Sequence, residues 1–250
     1  MVKERNLTRW IFVLPAMIIV GLLFVYPFFS SIFYSFTNKH LIMPNYKFVG
    51  LANYKAVLSD PNFFNAFFNS IKWTVFSLVG QVLVGFVLAL ALHRVRHFKK
   101  LYRTLLIVPW AFLCLVFINI WFGAPMIMVN VLSALQTVPE EQFEAAKIDG
   151  ASSWQVFKFI VFPHIKVVVG LLVVLRTVWI FNNFDIIYLI TGGGPANATT
   201  TLPIFAYNLG WGTKLLGRAS AVTVLLFIFL VAICFIYFAI ISKWEKEGRK

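Results

Sequence analysis

The chain has 250 residues, of which 60% are hydrophobic and only 12% are charged. A soluble domain of this size needs more polar surface, so the composition is typical of a helical membrane protein. The apolar residues form long blocks that do not alternate with polar ones, which argues against a transmembrane β-barrel. The formal net charge of +13 comes from basic residues that flank the apolar blocks, so it indicates membrane orientation and not nucleic-acid binding.

The first part of the chain predicts two spans joined by an external loop. Residues 10–33 are apolar, follow three cationic residues and lack a clear cleavage site, so we expect an uncleaved first span. Residues 38–65 are mixed and rich in turn residues, as expected of a loop outside the cell. Residues 71–92 predict the second span. Five Lys or Arg without an acid occur in residues 93–103, which predicts a cytoplasmic position.

The last part of the chain predicts two more spans, at residues 166–190 and 219–241. The segment between them, 191–217, holds Lys214 as its only cation, so we expect it outside the cell. The tail from residue 243 carries four cations against two acids and is expected inside. Both termini are therefore predicted to be cytoplasmic, which requires an even number of crossings.

The region 101–136 is too short for the crossings that this topology demands. The basic segment before it and the polar segment 138–163 after it are both expected inside, so the chain must leave and return between them. Two spans of roughly 20 residues each, plus a turn, need more than this region supplies. We therefore expect it to be irregular or shortened.

The polar segment 138–163 carries the most specific pattern in the chain. It contains Glu144-Ala145-Ala146, three residues, Gly150, nine residues and Ile160-Val161-Phe162-Pro163. This pattern resembles the EAA loop of ABC-importer permeases, with Phe162 where that loop has leucine. Locally it predicts two short helices that begin at capping boxes, 137–140 and 152–155, with Gly150 at the sharp turn between them. An amphipathic hairpin lying on the membrane surface is the alternative.

Other segments resemble, in the same order, the first membrane subunit of carbohydrate-type ABC importers, a group that includes maltose and glycerol-3-phosphate permeases. These segments are 14–16 with 26–27, 34–37, 48–54, 101–110 and 191–195. Members of this family continue after the segment that corresponds to 101–110 with the rest of a third span, an external loop and a complete fourth span. Here the sequence passes from Trp110 almost directly to 118–123, so we infer an internal deletion of a few tens of residues near 112–117.

The resemblance implies an all-α, polytopic membrane protein with the ABC importer permease fold. We expect about five to six transmembrane helices and a cytoplasmic coupling helix-turn-helix in a single domain, residues 1–250. The implied location is the bacterial inner membrane. The implied partners are a second permease subunit, two cytoplasmic ATP-binding subunits and an extracytoplasmic solute-binding protein. Because ATP hydrolysis would reside on a separate chain, we expect no enzymatic activity and no cofactor. The implied coupling residues are Glu144, Ala145, Ala146, Asp149, Gly150, Ile160 and Pro163.

Polar residues interrupt the predicted span 166–190. They are Arg176, Asn182, Asn183 and Asp185. Polar groups are costly within a membrane and generally face a cavity or a partner. Either lining of the substrate pathway or bonding between helices would satisfy them, and we assign Asn182, Asn183 and Asp185 to the pathway. Arg176 could instead pair with the second permease subunit.

Other kinds of site find little support in the sequence. The glycines at 192–194 are followed by neither Lys-Ser nor Lys-Thr and follow no predicted strand, which argues against a phosphate-binding loop. The four histidines form no metal-binding spacing, and no nucleophile-base pair stands out. Two alternatives to an ABC permease stay open: a non-functional, truncated permease, and a transporter or channel that needs no ATPase.

Overall fold

The structure, a computed structural model, describes residues 13–14, 17–94, 115–194 and 196–248. This part of the chain is helical and contains no named strand. Five of its segments are long and apolar enough to cross a membrane, which confirms an all-α polytopic protein. The helices are α1 (Met17–Ser35), α2 (Ala52–Leu58), α3 (Pro61–Arg94), α4 (Leu115–Leu135), α5 (Glu140–Ile148), α6 (residues 153–181), α7 (Asp185–Thr191), α8 (Leu202–Tyr207) and α9 (Leu216–Gly248).

The second span begins earlier than predicted. Residues 38–65 were expected to form a loop, but they contain α2, and α3 begins at Pro61, ten residues before the predicted start of the span. The Asp60 carboxylate accepts a hydrogen bond of 2.9 Å from the Asn62 backbone N–H. An acidic cap followed by proline in the first turn is a favourable helix start, although the pair had suggested a turn.

The helix in the region of the span predicted at 166–190 starts earlier than predicted, and it ends before residue 190. This helix, α6, starts at Ser153 and consists of Ser153–Val156, a π-helical turn at Phe157–Val161, and Phe162–Phe181. The π-helical turn lies directly before Pro163, where a regular helix would lose a hydrogen bond and clash. The helix therefore continues through the proline, then breaks at residues 182–184 before α7.

The region 101–136 is less irregular than predicted where it is described. Residues 115–135 form one helix of 21 residues that contains Pro125, and this length suffices for a crossing. Within 115–135 the structure thus shows a regular helix where an irregular or shortened region was expected, and the prediction for the whole of 101–136 stays a prediction. Residues 101–114 lie outside the described part of the chain, as do residues 10–12 of the predicted first span.

Two compact units divide the described chain. The first contains the residues up to Ala66 together with Thr201–Ile228. In this unit the Asn53 side-chain amide donates hydrogen bonds to the carbonyls of Ser35 at 2.9 Å and Thr37 at 2.7 Å. Gly217, at the start of α9, donates its backbone N–H to the Lys39 carbonyl at 3.0 Å. These bonds fix the segment after α1 against the start of α9.

Replacing Gly217 with alanine is expected to destabilise this unit. A Cβ atom there would overlap the Thr37 carbonyl oxygen and crowd the Asn53 amide. The first is a backbone atom and the second belongs to a buried side chain, so neither can move aside without a cost in free energy. Overpacking of this kind costs about 1–3 kcal/mol. The midpoint of thermal unfolding should fall for Gly217→Ala but not for Gly212→Ala, since no heavy atom lies within 4 Å of a Cβ at Gly212. Equal midpoints for the two variants would contradict the prediction.

The second unit contains Phe67–Thr200 together with the residues from Phe229. Within it, α3 and α4 run in the same direction. A Cβ at Gly80 would meet Ile120, and one at Gly85 would meet Ile127, so contacts advance along both helices together. Helix α6 runs the opposite way, because the Trp73 indole N–H donates to the Ile180 carbonyl at 3.2 Å while the Phe86 ring lies 5.6 Å from that of Phe157, far earlier in α6.

The direction of α3 and α4 places their connected ends far apart. Since Gly80 lies level with Ile120, Leu115 lies at the level of residue 75, and Arg94 is about 28 Å further along the helix axis.

The apolar core of this unit packs the second half of α4 against the first half of α6. Its buried members include Met128, Val131, Leu135, Val161 and Ile165.

Candidate functional site

The turn between α5 and α6 is tightly built around Gly150. Gly150 has a φ of +69°, in the left-handed region that favours glycine, which confirms the reason given for a glycine here. Three backbone hydrogen bonds of 2.9–3.2 Å close the turn, from Asp149 to Ala145, from Gly150 to Lys147 and from Ala151 to Ala146. The turn is therefore a fixed connection between the two helices.

One of the two predicted capping boxes is present. The Ser152 hydroxyl accepts a hydrogen bond from the Gln155 backbone N–H at 3.4 Å, and the Gln155 side chain accepts one from the Ser152 N–H at 2.7 Å. The other box, at residues 137–140, is wrong. Thr137 donates its hydroxyl to the Ala134 carbonyl at 2.7 Å and caps nothing, so the N-cap of α5 is Pro139, which has no side chain that can accept.

Most of the predicted coupling residues lie on an exposed surface. Ala146 is buried and Ile160 is half-buried, whereas the remaining members are exposed: Glu144, Ala145, Asp149, Gly150 and Pro163. Two large apolar side chains lie beside the turn, with Ile148 86% exposed and Trp154 69% exposed. Side chains of this kind, grouped around a rigid turn, are typical of a surface that binds another protein.

The turn is also tied to the membrane-spanning helices. The Trp154 ring lies 5.5 Å from that of Phe157, and Phe157 packs edge-on against Phe86 of α3 at 5.6 Å. Val161 is buried in the core between α4 and α6. Trp154, Phe157 and Val161 thus lead from the exposed surface into the core.

The predicted pathway residues lie where α6 breaks. The Asn182 amide donates to the Val178 carbonyl at 2.9 Å, and the Asn183 side-chain oxygen accepts from the Ile186 N–H at 3.3 Å. These bonds satisfy backbone groups at the end of α6 and the start of α7. Asn182 and Asp185 are exposed and Asn183 is half-buried, so the break presents polar atoms on the surface of this chain.

Arg176 lies apart from those three residues, inside the second unit. It is 4% exposed and donates from Nε to Gln81 Oε1 at 2.8 Å. The Gln81 amide nitrogen in turn donates to the Asn119 backbone carbonyl at 2.8 Å and to the Asn119 side-chain oxygen. Gly123 lies against this group, because a Cβ there would overlap both Arg176 and Gln81. The structure therefore brings α3, α4 and α6 together around one arginine.

Sequence reasoning missed Gln81, Asn119 and Gly123. Gln81 and Asn119 are single polar residues within long apolar helices, and both are fully or almost fully buried. The rule that singled out Arg176, that polar residues inside a membrane segment have partners, applies equally to them. Their pairing could not be predicted, because it depends on the parallel packing of α3 and α4.

A groove of about 440 Å³ lies between α3, α6 and α9 in the second unit. Its lining is almost entirely apolar, with Thr74, Thr177 and Tyr237 as the only residues that carry a hydroxyl. The Thr177 hydroxyl donates to the Val173 carbonyl of its own helix at 2.7 Å. Such a lining does not supply the hydrogen bonds that a polyhydroxylated solute needs.

The helical fold and the turn at Gly150 agree with the membrane permease subunit that the sequence predicted. Residues 5–246 match the family described as "Binding-protein-dependent transport system inner membrane component", and the chain belongs to this family. It is 27% identical to the "Multiple sugar-binding transport system permease protein MsmF" of Streptococcus mutans over 94% of this chain and 96% of that protein. It is 28% identical to the "Probable ABC transporter permease protein YurN" of Bacillus subtilis, with 100% of both chains covered.

The fold is also shared with a solved ABC importer. The structure superposes with a TM-score of 0.81 on a chain of a bacterial ABC transporter involved in the import of the acidic polysaccharide alginate, at 18% identity and with 96% of each chain covered. This likeness confirms the permease fold that the sequence predicted.

The chain is shorter than its relatives in its interior. The alignment with YurN covers both chains fully and runs over 297 positions, so at least 47 of them have no counterpart among the 250 residues of this chain. This number agrees in size with the deletion of a few tens of residues predicted near 112–117. The position of the deletion stays a prediction.

Proposed function

We propose that this chain is one of two permease subunits of an ATP-driven importer for sugars or related polyols and glycerol phosphates. It would form half of the translocation pathway and bind an ATPase subunit through the turn between α5 and α6. The observation that carries the proposal is the exposed, capped turn whose second helix continues, through a π-helical turn, into a membrane-spanning segment. The sugar class is supported by the name of MsmF and by the alginate transporter.

The coupling role follows from the continuity of α6. Helix α6 begins at the proposed ATPase contact and ends at residue 181, and it stays helical through the π-helical turn at Phe157–Val161, so we expect it to carry a displacement from its start to its end. The packing of Phe157 on Phe86 joins this helix to α3 near the turn. A closure of the ATPase subunits would therefore displace the break at 182–184 as well as the turn itself.

The proposed pathway residues Asn182, Asn183 and Asp185 lie at that break. The Asn182 amide nitrogen and the Asn183 amide oxygen each form a hydrogen bond with the backbone. The Asn182 oxygen and the Asn183 nitrogen have no partner among the described residues. The Asp185 carboxylate is exposed at the start of α7. Amide and carboxylate groups can exchange hydrogen bonds with solute hydroxyls, which is the chemistry that the apolar groove lacks.

The proposed assembly contains a second permease, two ATP-binding subunits and an external solute-binding protein in the bacterial inner membrane. A bacterial alginate transporter has been solved in complex with an alginate pentasaccharide-bound periplasmic protein. The family description likewise names binding-protein-dependent transport. Both support a solute-binding partner for this chain.

The test is transport by the complex purified through a tag on this chain and reconstituted in proteoliposomes. We expect ATP-dependent uptake of a radiolabelled sugar, polyol or glycerol phosphate, which requires the binding protein and is lost in Glu144→Lys. Uptake without ATP would instead indicate an ATPase-independent transporter. An assembled complex that hydrolyses ATP but transports none of these solutes would indicate a truncated, non-transporting permease.

A topology follows from the shared direction of α3 and α4. If the basic segment after α3 is cytoplasmic, the start of α4 lies outside and its end lies inside, next to α5. We expect cysteines introduced at Leu51, Phe117 and Asn197 to react with a membrane-impermeant maleimide from outside, and one at Glu141 only from inside. These four positions are exposed in the structure, whereas Asn53 is buried and unsuitable. Labelling of Phe117 only from the cytoplasm would contradict the assignment.

A further inference from the structure

The buried polar group at the far end of α6 has no role in the function proposed so far. Its members are Arg176, Gln81 and Asn119, one from each of α6, α3 and α4, and they are 4%, 0% and 2% exposed. Hydrogen bonds run in one sequence, from Arg176 to Gln81 and from Gln81 to Asn119. We call these three residues the arginine network.

No carboxylate in the described part of the chain pairs with the charge that the network holds. Residues 61–139 and 150–184, which include all of α3, α4 and α6, contain no Asp or Glu. Among the described residues, Arg176 interacts with Gln81 and with the face of Trp179, whose ring centre lies 5.6 Å from the guanidinium carbon. Burial of a charge without a counterion costs free energy. The Gln81 amide, which is itself bonded to Asn119, and the Trp179 ring offset part of this cost.

The network lies where α6 meets the proposed pathway. Arg176 is 23 residues beyond Ser153, about 35 Å along the helix from the coupling turn, and five residues before the end of α6. A second bond holds the same end, since the Trp73 indole donates to the Ile180 carbonyl at 3.2 Å. The end of α6 is thus bonded laterally to α3 by two hydrogen bonds, at Arg176 and at Ile180, immediately before Asn182 and Asn183.

We infer that Gln81 and Asn119 are positioning residues that act through Arg176 to hold the end of α6 against α3 and α4, so that movement of the coupling turn displaces Asn182 and Asn183 with it. The inference rests on the proposed function, because it assigns a transmission role within that importer. Without directional bonds at Arg176, the end of α6 can slide or tilt against α3 and α4, and movement of the turn no longer brings Asn182 and Asn183 to one defined position. ATP hydrolysis then continues while less solute crosses per ATP.

The test compares Gln81→Leu, Arg176→Met and the double variant in the reconstituted complex. Gln81→Leu alone leaves a buried charge without its acceptor and can lower the amount of complex for that reason only. The double variant removes charge and acceptor together, and apolar replacement of a buried polar pair is often tolerated. Thr177→Val is the matched control, since Thr177 is the next residue, is equally buried and bonds only to its own helix.

Uptake per ATP hydrolysed separates positioning from simple stability. We expect the double variant to assemble in normal amounts but to transport at least tenfold less solute per ATP, with Thr177→Val unchanged. Gln81→Glu, which retains the acceptor oxygen for Arg176 but loses the amide donor to Asn119, should recover part of the uptake. Normal uptake per ATP in the double variant would overturn the inference, because the network would then only satisfy its own polar groups.

A second measurement does not depend on transport. Asn182→Cys is introduced into a chain whose Cys114 and Cys234 are replaced by serine, and the rate of maleimide labelling is measured with and without ATP. We expect ATP to change this rate at least fivefold with an intact network and less than twofold in the double variant. A rate that ATP leaves unchanged with an intact network would overturn the inference. A complex that shows the labelling change but no uptake would refute the proposed function alone.

Discussion

Gly150→Val is expected to abolish the stimulation of ATP hydrolysis by the solute-binding protein while the complex still assembles. Gly150 has a φ of +69°, and a β-branched residue at such an angle is strained by roughly 1–2 kcal/mol or more. No heavy atom lies within 4 Å of a Cβ at this position, so the cause is the backbone and not a clash. The turn would open, and the exposed Ile148 and Trp154 would lose their fixed spacing.

Because the effect arises from the backbone angle at Gly150, we expect a graded loss of stimulation among variants of this residue in ATPase assays of the reconstituted complex. Gly150→Asn should retain a large part of the stimulation, because asparagine tolerates the left-handed region better than valine. Gly212→Val serves as the matched control, since Gly212 also has open space around it but has no positive φ. Equal stimulation in Gly150→Val, Gly150→Asn and the unmodified complex would show that this turn does not couple to the ATPase.

Gly123→Ala is expected to have the largest effect on assembly of any single methyl group added to the second unit. The new Cβ would overlap the Arg176 guanidinium and the Gln81 amide, and neither group can retreat without losing its hydrogen bond. Overpacking costs about 1–3 kcal/mol, and a buried polar group left unpaired costs about 1–3 kcal/mol more. We expect little monodisperse complex and a lowered midpoint of thermal unfolding.

Gly80→Ala provides the comparison for this variant. It disturbs the same α3–α4 contact, but its Cβ would overlap the Cγ1 and Cδ1 atoms of the half-buried Ile120, an apolar side chain that has no hydrogen bond to lose. We therefore expect Gly80→Ala to assemble well and to unfold at a midpoint close to that of the unmodified chain. If Gly123→Ala and Gly80→Ala lowered the midpoint equally, ordinary packing would explain both, and the polar group would not limit stability.

The turn between α5 and α6 was largely predictable because its determinants are local. Gly150 and the capping box at Ser152 depend on residues within four positions of one another, and the structure contains both. The failed capping box at Thr137 shows the limit of such patterns. The Thr137 hydroxyl has a carbonyl of the preceding helix within reach, and hydrogen bonding to Ala134 there competes with capping of α5.

The ends of the membrane-spanning helices were less predictable. Apolar content marks the stretch that fits a bilayer, but a helix continues beyond it wherever its backbone can remain hydrogen-bonded. Helix α3 therefore starts at Pro61 and α6 starts at Ser153, both outside the apolar blocks. The break at 182–184 was not predicted, because Asn182 and Asn183 were read as polar residues within a continuous span. In the structure the Asn183 side chain accepts from the Ile186 N–H at the start of α7, and the Asn182 amide bonds to the Val178 carbonyl at the end of α6.

By itself the sequence determined the class of protein, the helical nature of its spans and the rigid turn of segment 138–163, because composition and local backbone chemistry are sufficient for these. Only the tertiary structure decided that α3 and α4 run in the same direction and that Gln81 and Asn119 meet Arg176. The physical reason is that an apolar helix can pack in many registers, and the partner of a buried polar group is set by which helix lies beside it.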